Sequence, residues 1–485
     1  MFWNGWRRQR GMRERVCHCV LALWALWVFG GSRAWAQSPD ETETKRFTLQ
    51  EAVDFALKNY PAVRASIERA NAAREGIDLA RTNYLPRADM LWQANRASRN
   101  NVFGLLLPQS VIPSMSGPVL ATTSGQGVWG SAEGLLFSWE PIDFGARRAK
   151  VDSARAVEGQ SKAQLNVTRL DVAVATVNSF LTLLAAEQTV HAAQADVDRR
   201  EVFAKSVHVL VDNQLRAGAD ASRADADLAR ARANLARARQ QQEVSRAGLA
   251  NILGIADTKV EVREGSLANT PPGNAPTASA ISAHPLAEAQ DARVQELRYQ
   301  VKVLDRSYYP KFNVQSAVYG RGTGANTDGT FQGGANGLGV DRSNWAVGLT
   351  VTFPLFDILS IHDRKKIEQA NQLAETARYD QTVQDLTGQL RKAQASLEGA
   401  RNVAEATPVE LGAARETEIQ QRARYQAGLA TLVDVSDAQS LLVQAEIDDA
   451  LAHLAVWQNL ASVAASQGDL APFLQFLHDK KQGGS

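Results

Sequence analysis

Asp434 and Asp437 are the side chains of this chain whose type and spacing best suit a chemical task. Three residues apart on a helix, they share one face. Acids in a first turn satisfy the free N–H groups and the dipole of a helix N-terminus, and that is the role the residues by themselves favour. Asp225 is the nearest acid of this kind in the first half of the chain, where a solvated helix face is the competing reading. Enzymatic constellations are missing beyond residue 36. His191, His208, His284, His362, His453 and His478 are scattered, with no two at the three- or four-residue spacing of a helical metal pair. Gly320-x-Gly322-x-Gly324 is expected in a loop and lacks the Lys-Ser/Thr and the following helix that phosphate binding needs. There is no Gly-x-Ser-x-Gly elbow. The residues point to no catalysis, no metal and no cofactor.

The elements that would position those acids are written twice. Pro61 and Pro86 have the same separation as Pro285 and Pro310, and Tyr84-Leu85-Pro86 answers Tyr308-Tyr309-Pro310. Farther on, Trp139-Glu140-Pro141-Ile142-Asp143-Phe144 answers Thr352-Phe353-Pro354-Leu355-Phe356-Asp357. Likewise Arg216-Ala217-Gly218-Ala219 answers Gln426-Ala427-Gly428-Leu429, which places Gly218 and Gly428 at matching helix turns. A repeat of this kind, with helices too long for a globular core, suits an elongated assembly.

Arg7, Arg8, Arg10, Arg13 and Arg15, an apolar run from Val20 to Phe29, and Ala34-Trp35-Ala36 read as a secretory signal over 1–36. Both cysteines, Cys17 and Cys19, lie inside it, so the exported chain is expected to have no thiol. Removing this basic segment turns a formal net charge of +1 slightly negative. Without a clustered positive face, nucleic acid is not an expected partner. No run of about 18 apolar residues follows residue 36, so any membrane crossing falls to strands.

The first repeat is read over 37–260, with strands at 87–98 and 128–139 and long helices at 146–215 and 221–253. A Pro/Gly-rich linker is expected at 261–280. The second repeat is read over 281–466, with strands at 311–319 and 344–353, helices at 361–427 and 431–466, and a polar tail at 467–485. Helices of about 65 to 70 residues would be rods on the order of 100 Å. Pro408 is expected to bend the helix at 361–427 or open one turn. The loop at 100–126 has an apolar middle, and that at 320–343 is rich in Gly, Asn and Asp and expected to be solvent-exposed and mobile. The clearest strand places Trp345, Val347, Leu349, Val351 and Phe353 on one side and Ala346, Gly348, Thr350 and Thr352 on the other, as lipid-facing strands do. Trp92, Trp129, Trp139 and Trp345 all fall in these strands, at an interfacial aromatic belt or, alternatively, in the core of a soluble sheet. Four short strands cannot close a barrel, so insertion would require several copies.

With the repeat, the Tyr-x-Pro elements, Pro354-Leu355-Phe356-Asp357 and the segment from Tyr425 to Ala438, the chain resembles the TolC-type outer-membrane efflux proteins over about residues 45–466. The resemblance implies a mixed α and transmembrane β fold. Each subunit of a homotrimer would give four strands to a twelve-stranded barrel in outer-membrane lipid, above a periplasmic α-helical barrel. It further implies a passive exit duct for tripartite efflux or type I secretion. Its partners would be a periplasmic adaptor and an inner-membrane transporter of RND, ABC or MFS type. Asp434, Asp437 and Tyr425 match the family's periplasmic gate. The family also carries a basic residue two places after the turn glycine, where this chain has Ala430. A periplasmic adaptor or coiled-coil scaffold is the alternative, and a periplasmic enzyme on a helical frame is a second.

Overall fold

The computed structural model describes residues 44–98, 125–268, 271, 280–326, 328 and 330–478. The expected signal at 1–36 and most of the apolar loop at 100–126 lie outside the described residues. In chain order the elements are β1 (Lys45–Phe47), α1 (Leu49–Asn59), α2 (Pro61–Thr82), β2 (Arg87–Ser98), β3 (Gly127–Trp139), α3 (Ala146–Asp212), α4 (Gly218–Ile252) and β4 (Val260–Val262). The second copy follows with α5 (Pro285–Arg306), β5 (Lys311–Thr323), β6 (Arg342–Thr352), α6 (Asp357–Gln426), α7 (Leu432–Ser466) and α8 (Ala471–His478).

Local chemistry explains several boundaries. Thr48 caps α1 in a reciprocal box with Glu51. Pro61 then starts α2 at the one helical position where a missing N–H costs nothing. Asp143 caps α3 through the Arg147 backbone N–H at 2.5 Å. The 67 residues of α3 and the 70 of α6 give rods of about 100 Å. Pro408 lies inside α6, which continues past it.

Two small elements were not expected. Val260–Val262 at the head of the supposed linker pairs with β1 instead. The supposed polar tail contains α8, whose Phe473 is fully buried against the edge of Trp457 at 6.3 Å. Both close over the main core, which gathers Val53 and Ala56 of α1, Val177, Phe180 and Leu184 of α3, Leu249 of α4, and Leu460 and Val463 of α7. One stretch of α3 is apolar enough in composition to cross a membrane, yet half of that stretch is buried in the chain. Away from this core the long helices pack through small seams such as Ala193, Val197, Ala231 and Leu235.

The four longer strands form one antiparallel sheet in the order β2-β3-β5-β6. Register aligns Met90, Leu135, Val318 and Trp345 in one row across all four strands. All four are exposed, and the neighbouring row holds Ala88, Phe137, Ser316 and Val347. The opposite face carries mostly small and polar side chains around a short apolar cluster of Ala132, Leu136, Ala317 and Tyr319. A sheet that is apolar outward and small inward inverts the usual soluble pattern.

Gly320 and Gly322 were expected in a loop but belong to β5, which runs four residues longer than its alternation shows. The following loop is exposed but tied down. The Gly324 N–H donates to the Trp129 carbonyl at 2.9 Å, and the Gln332 N–H donates to the Gly324 carbonyl at 2.8 Å.

Candidate functional site at the two helix turns

At the end of α3 remote from the sheet, the α3–α4 turn lies against the α6–α7 turn. In the second turn Gly428 adopts φ +76°, the left-handed geometry that ends a helix, and the Leu429 N–H donates back to Arg424 at 2.8 Å. The first turn repeats this geometry at Gln214, φ +60°, with the Leu215 N–H donating to Leu210 at 2.8 Å. Gly218, matched to Gly428 by sequence, is instead the first residue of α4. Aligning the turns by geometry pairs Arg216 with Ala430 and Asp220 with Asp434. A glycine is a weak landmark where a polar residue can also adopt the left-handed conformation.

That corrected register reveals the contact between the turns. Arg216 Nη2 donates to the Tyr425 carbonyl at 2.6 Å, while its guanidinium covers the Tyr425 ring at 4.4 Å. The Tyr425 hydroxyl donates to Asp220 Oδ2 at 3.2 Å. Phe203 meets the same ring edge-on at 5.5 Å, and Tyr425 is 1% exposed. Burial, and then the Asp220 charge beside it, push the phenol above its ordinary value. Arg216 thus supplies a cation absent at Ala430, and Asp220, not Asp225, is the acid of the first turn. Neither was singled out from sequence as a site. The available signal was their distance from the ends of the helical pattern rather than from glycine.

Asp225 lies farther along α4, where it pairs with His208 of α3 at 2.9 Å. That bond raises the imidazole above its ordinary value. A raised histidine contributes stability that is complete below its unfolded value, about 6.5, and lost as pH rises through the folded value. We expect amide-exchange protection around 203–228 to fall as pH rises through the histidine range and to become flat in His208→Gln; an unchanged slope in the variant would remove the pair from that role.

Asp434 caps α7. Its Oδ2 accepts from the Thr431 N–H and hydroxyl, both at 2.7 Å, and these bonds hold the carboxyl below its usual range. Asp437 is exposed one turn on, as is Asp434. Above the turns, α3 is stapled to α7. Arg199 makes a two-pronged contact with Glu446 at 2.8 and 3.1 Å, and Arg200, paired with Asp196, donates to the Ser440 hydroxyl at 3.1 Å. Ser436 of α7 donates to Asp227 of α4 at 2.7 Å.

The predicted aromatics occupy the outward sheet face. Trp92 and Trp345 are 70% and 76% exposed, and Trp139 is half-exposed, its indole N–H donating to the Tyr84 carbonyl at 3.3 Å. Trp129 is partly covered by Arg96, whose guanidinium sits 5.6 Å from the ring. Phe353 is exposed just past the end of β6.

The family profile described as "Outer membrane efflux protein" matches residues 52–255 and 278–469. Protein CyaE of Bordetella pertussis is 26% identical over 460 residues, spanning 88% of this chain and 90% of that protein. Among solved structures, the CmeC outer membrane channel of Campylobacter jejuni superposes with TM-score 0.69 at 17% identity, covering 87% of this chain and 85% of that one. The open-state MtrE outer membrane channel of Neisseria gonorrhoeae gives 0.66 at 19% identity, covering 87% and 89%. With its helical rods, β domain and matched profile, this chain belongs to the outer membrane efflux protein family, an exit duct in the outer membrane that extends into the periplasm and not an enzyme.

Proposed function

We propose that three copies of the chain close a twelve-stranded barrel in the outer membrane, with the long helices continuing as a hollow periplasmic tube. The observation that carries this reading is the sheet itself. Its outward face carries a row that is apolar in all four strands, Met90, Leu135, Val318 and Trp345, flanked by Phe137 and Val347, and among the described residues β2 and β6 pair with no further strand. In lipid such edges leave backbone groups without partners, and joining the β6 edge of one copy to the β2 edge of the next removes them. Trp92, Trp129, Trp139, Trp345 and Phe353 then sit at the two rims of the apolar band. Substrates pass from an inner-membrane transporter of RND, ABC or MFS type and a periplasmic adaptor, in tripartite efflux or type I secretion. The duct itself performs no chemistry.

In this reading the turns carrying Tyr425, Gly428, Asp434 and Asp437 form the periplasmic gate. Three copies of two exposed carboxylates at a narrow ring concentrate negative field and attract cations. Purified protein is expected to migrate as a heat-modifiable trimer and to conduct in planar bilayers; a water-soluble monomer without conductance would reject the proposal. In the same recordings, Asp434→Asn with Asp437→Asn should relieve block by divalent cations roughly tenfold. Unaltered cation sensitivity would take these acids out of the gate.

A further inference from the structure

The internal repeat allows one contact made within the chain to be projected onto the contact between chains. Where β3 passes into α3, Phe144 takes the left-handed conformation at φ +48°, a strained state for a non-glycine residue. The strain places its ring in a stack on Tyr309 of the second repeat, with centroids 5.1 Å apart and planes 20° apart, beside Phe312 at 6.1 Å. Repeat one therefore grips repeat two at the junction between sheet and helices. Phe144 stands two residues before α3, and Tyr309 stands one residue before the proline that precedes β5.

Counted back from the helix starts, and not by the proline register that sets Leu355 against Ile142, the corresponding positions are Leu355, two residues before α6, and Leu85, one residue before Pro86. Neither has a partner like that of Phe144: Leu355 is 72% exposed and Leu85 67%. Phe356 beside the first is 92% exposed, and Leu79 near the second is 70% exposed. Helix packing shows the same asymmetry. The second-repeat helix α5 packs against the long helices of both repeats, α3 and α6, whereas α2 packs extensively only along α3.

Resting on the trimeric reading above, we propose that Leu355 and Phe356 of one copy pack onto Leu85 and Leu79 of the next, an apolar clasp at the sheet–helix junction that repeats between chains what Phe144 and Tyr309 do within one. The occupant is a second copy of this chain. A contact between two different patches propagates head to tail, so three copies can complete a ring, as a patch-to-itself contact would not. The clasp also buries apolar side chains that are mostly exposed at both junctions, a sufficient reason for apolar residues where water would otherwise meet them.

The test is disulfide or short bis-maleimide cross-linking of the full chain in outer membranes. Both native cysteines precede residue 36, so introduced thiols stand on a clean background once the signal is removed. Leu85→Cys with Leu355→Cys should give a covalent trimer in denaturing gels, at least about tenfold above either single variant, because each thiol meets only the other type across a head-to-tail contact. Trimer assembly is measured in parallel by heat-modifiable migration. A normal trimer that fails to cross-link overturns the clasp alone. Absence of a trimer in the unsubstituted protein overturns the assembly on which it rests. As a second measurement, Leu355→Asp with Phe356→Asp should lower the trimer fraction at a fixed elevated temperature by about tenfold while leaving helix content unchanged; undiminished trimer would also reject the clasp.

Discussion

Replacing Arg216 by alanine is expected to raise resting conductance about 30-fold in planar bilayers. The substitution removes a charge-assisted bond to the Tyr425 carbonyl at 2.6 Å and the cation over the Tyr425 ring at 4.4 Å. Bonds from charged groups contribute about 1.5–3 kcal/mol and a cation over an aromatic face about 0.5–2 kcal/mol. Allowing for partial exposure and for water replacing the lost donor, a net of about 2 kcal/mol is reasonable, and that moves a closed–open equilibrium about 30-fold. The same contact holds one helical hairpin of the protomer to the other, so its loss acts where the two would separate. Arg216→Lys should recover part of the effect, since it keeps the cation but loses the planar fork. Tyr425→Phe should give a smaller increase, because it cuts only the 3.2 Å bond to Asp220 and leaves the packing against Phe203. Resting currents equal to those of the unsubstituted channel in Arg216→Ala would show that this contact does not hold the duct shut.

The second large effect is expected in the sheet. Gly134 of β3 lies opposite Tyr319 of β5, on the seam where the two repeats pair. A Cβ at Gly134 would meet the Tyr319 Cβ at 2.6 Å and the Val318 carbonyl oxygen at 2.8 Å. Neither neighbour is the movable end of a side chain. Gly134→Val therefore has to part the strands, at about 3 kcal/mol, the upper range for overpacking, or roughly 150-fold in the stability of the seam. The trimer should disappear from outer-membrane fractions, and the chain should accumulate as a heat-insensitive species. Truncating the tyrosine ring should not rescue it, since the conflict is with Cβ and backbone; recovery of assembly by Tyr319→Ala would show that the ring was the obstacle.

Much of this architecture is legible in local pattern. The two-residue period in Trp345, Val347, Leu349 and Val351 is a property of neighbours along the chain, and the pleat converts it directly into an outward face. The proline that starts α2 and the Thr48 box act over one turn, so their meaning does not depend on anything distant. Duplication made the order of elements readable twice over. Short elements were harder. Val260–Val262 is three residues long, too brief for a period, and exists because β1 offers it an edge. Phe473 reads as a stray aromatic in a tail until Trp457 is seen beneath it.

The contact between the two turns shows most clearly where sequence stops. Asp434 and Asp437 were visible because both sit on one helix face within a single turn. Arg216, Asp220 and Tyr425 meet across more than 200 residues of chain, and their meeting depends on how α3 and α6 end beside each other. That depends in turn on Gln214, not Gly218, taking the left-handed position, a choice worth about a kcal/mol and easily overridden by packing. Amino-acid order alone determined the repeat, the long helices, the outward apolar face of the strands and the acids beside the second turn, since each is a periodicity or a spacing within one element. Which turn residues face one another, and which apolar side chains at the junctions remain for a neighbouring copy, was decided only when the rods packed, because distance through space is not encoded in distance along the chain.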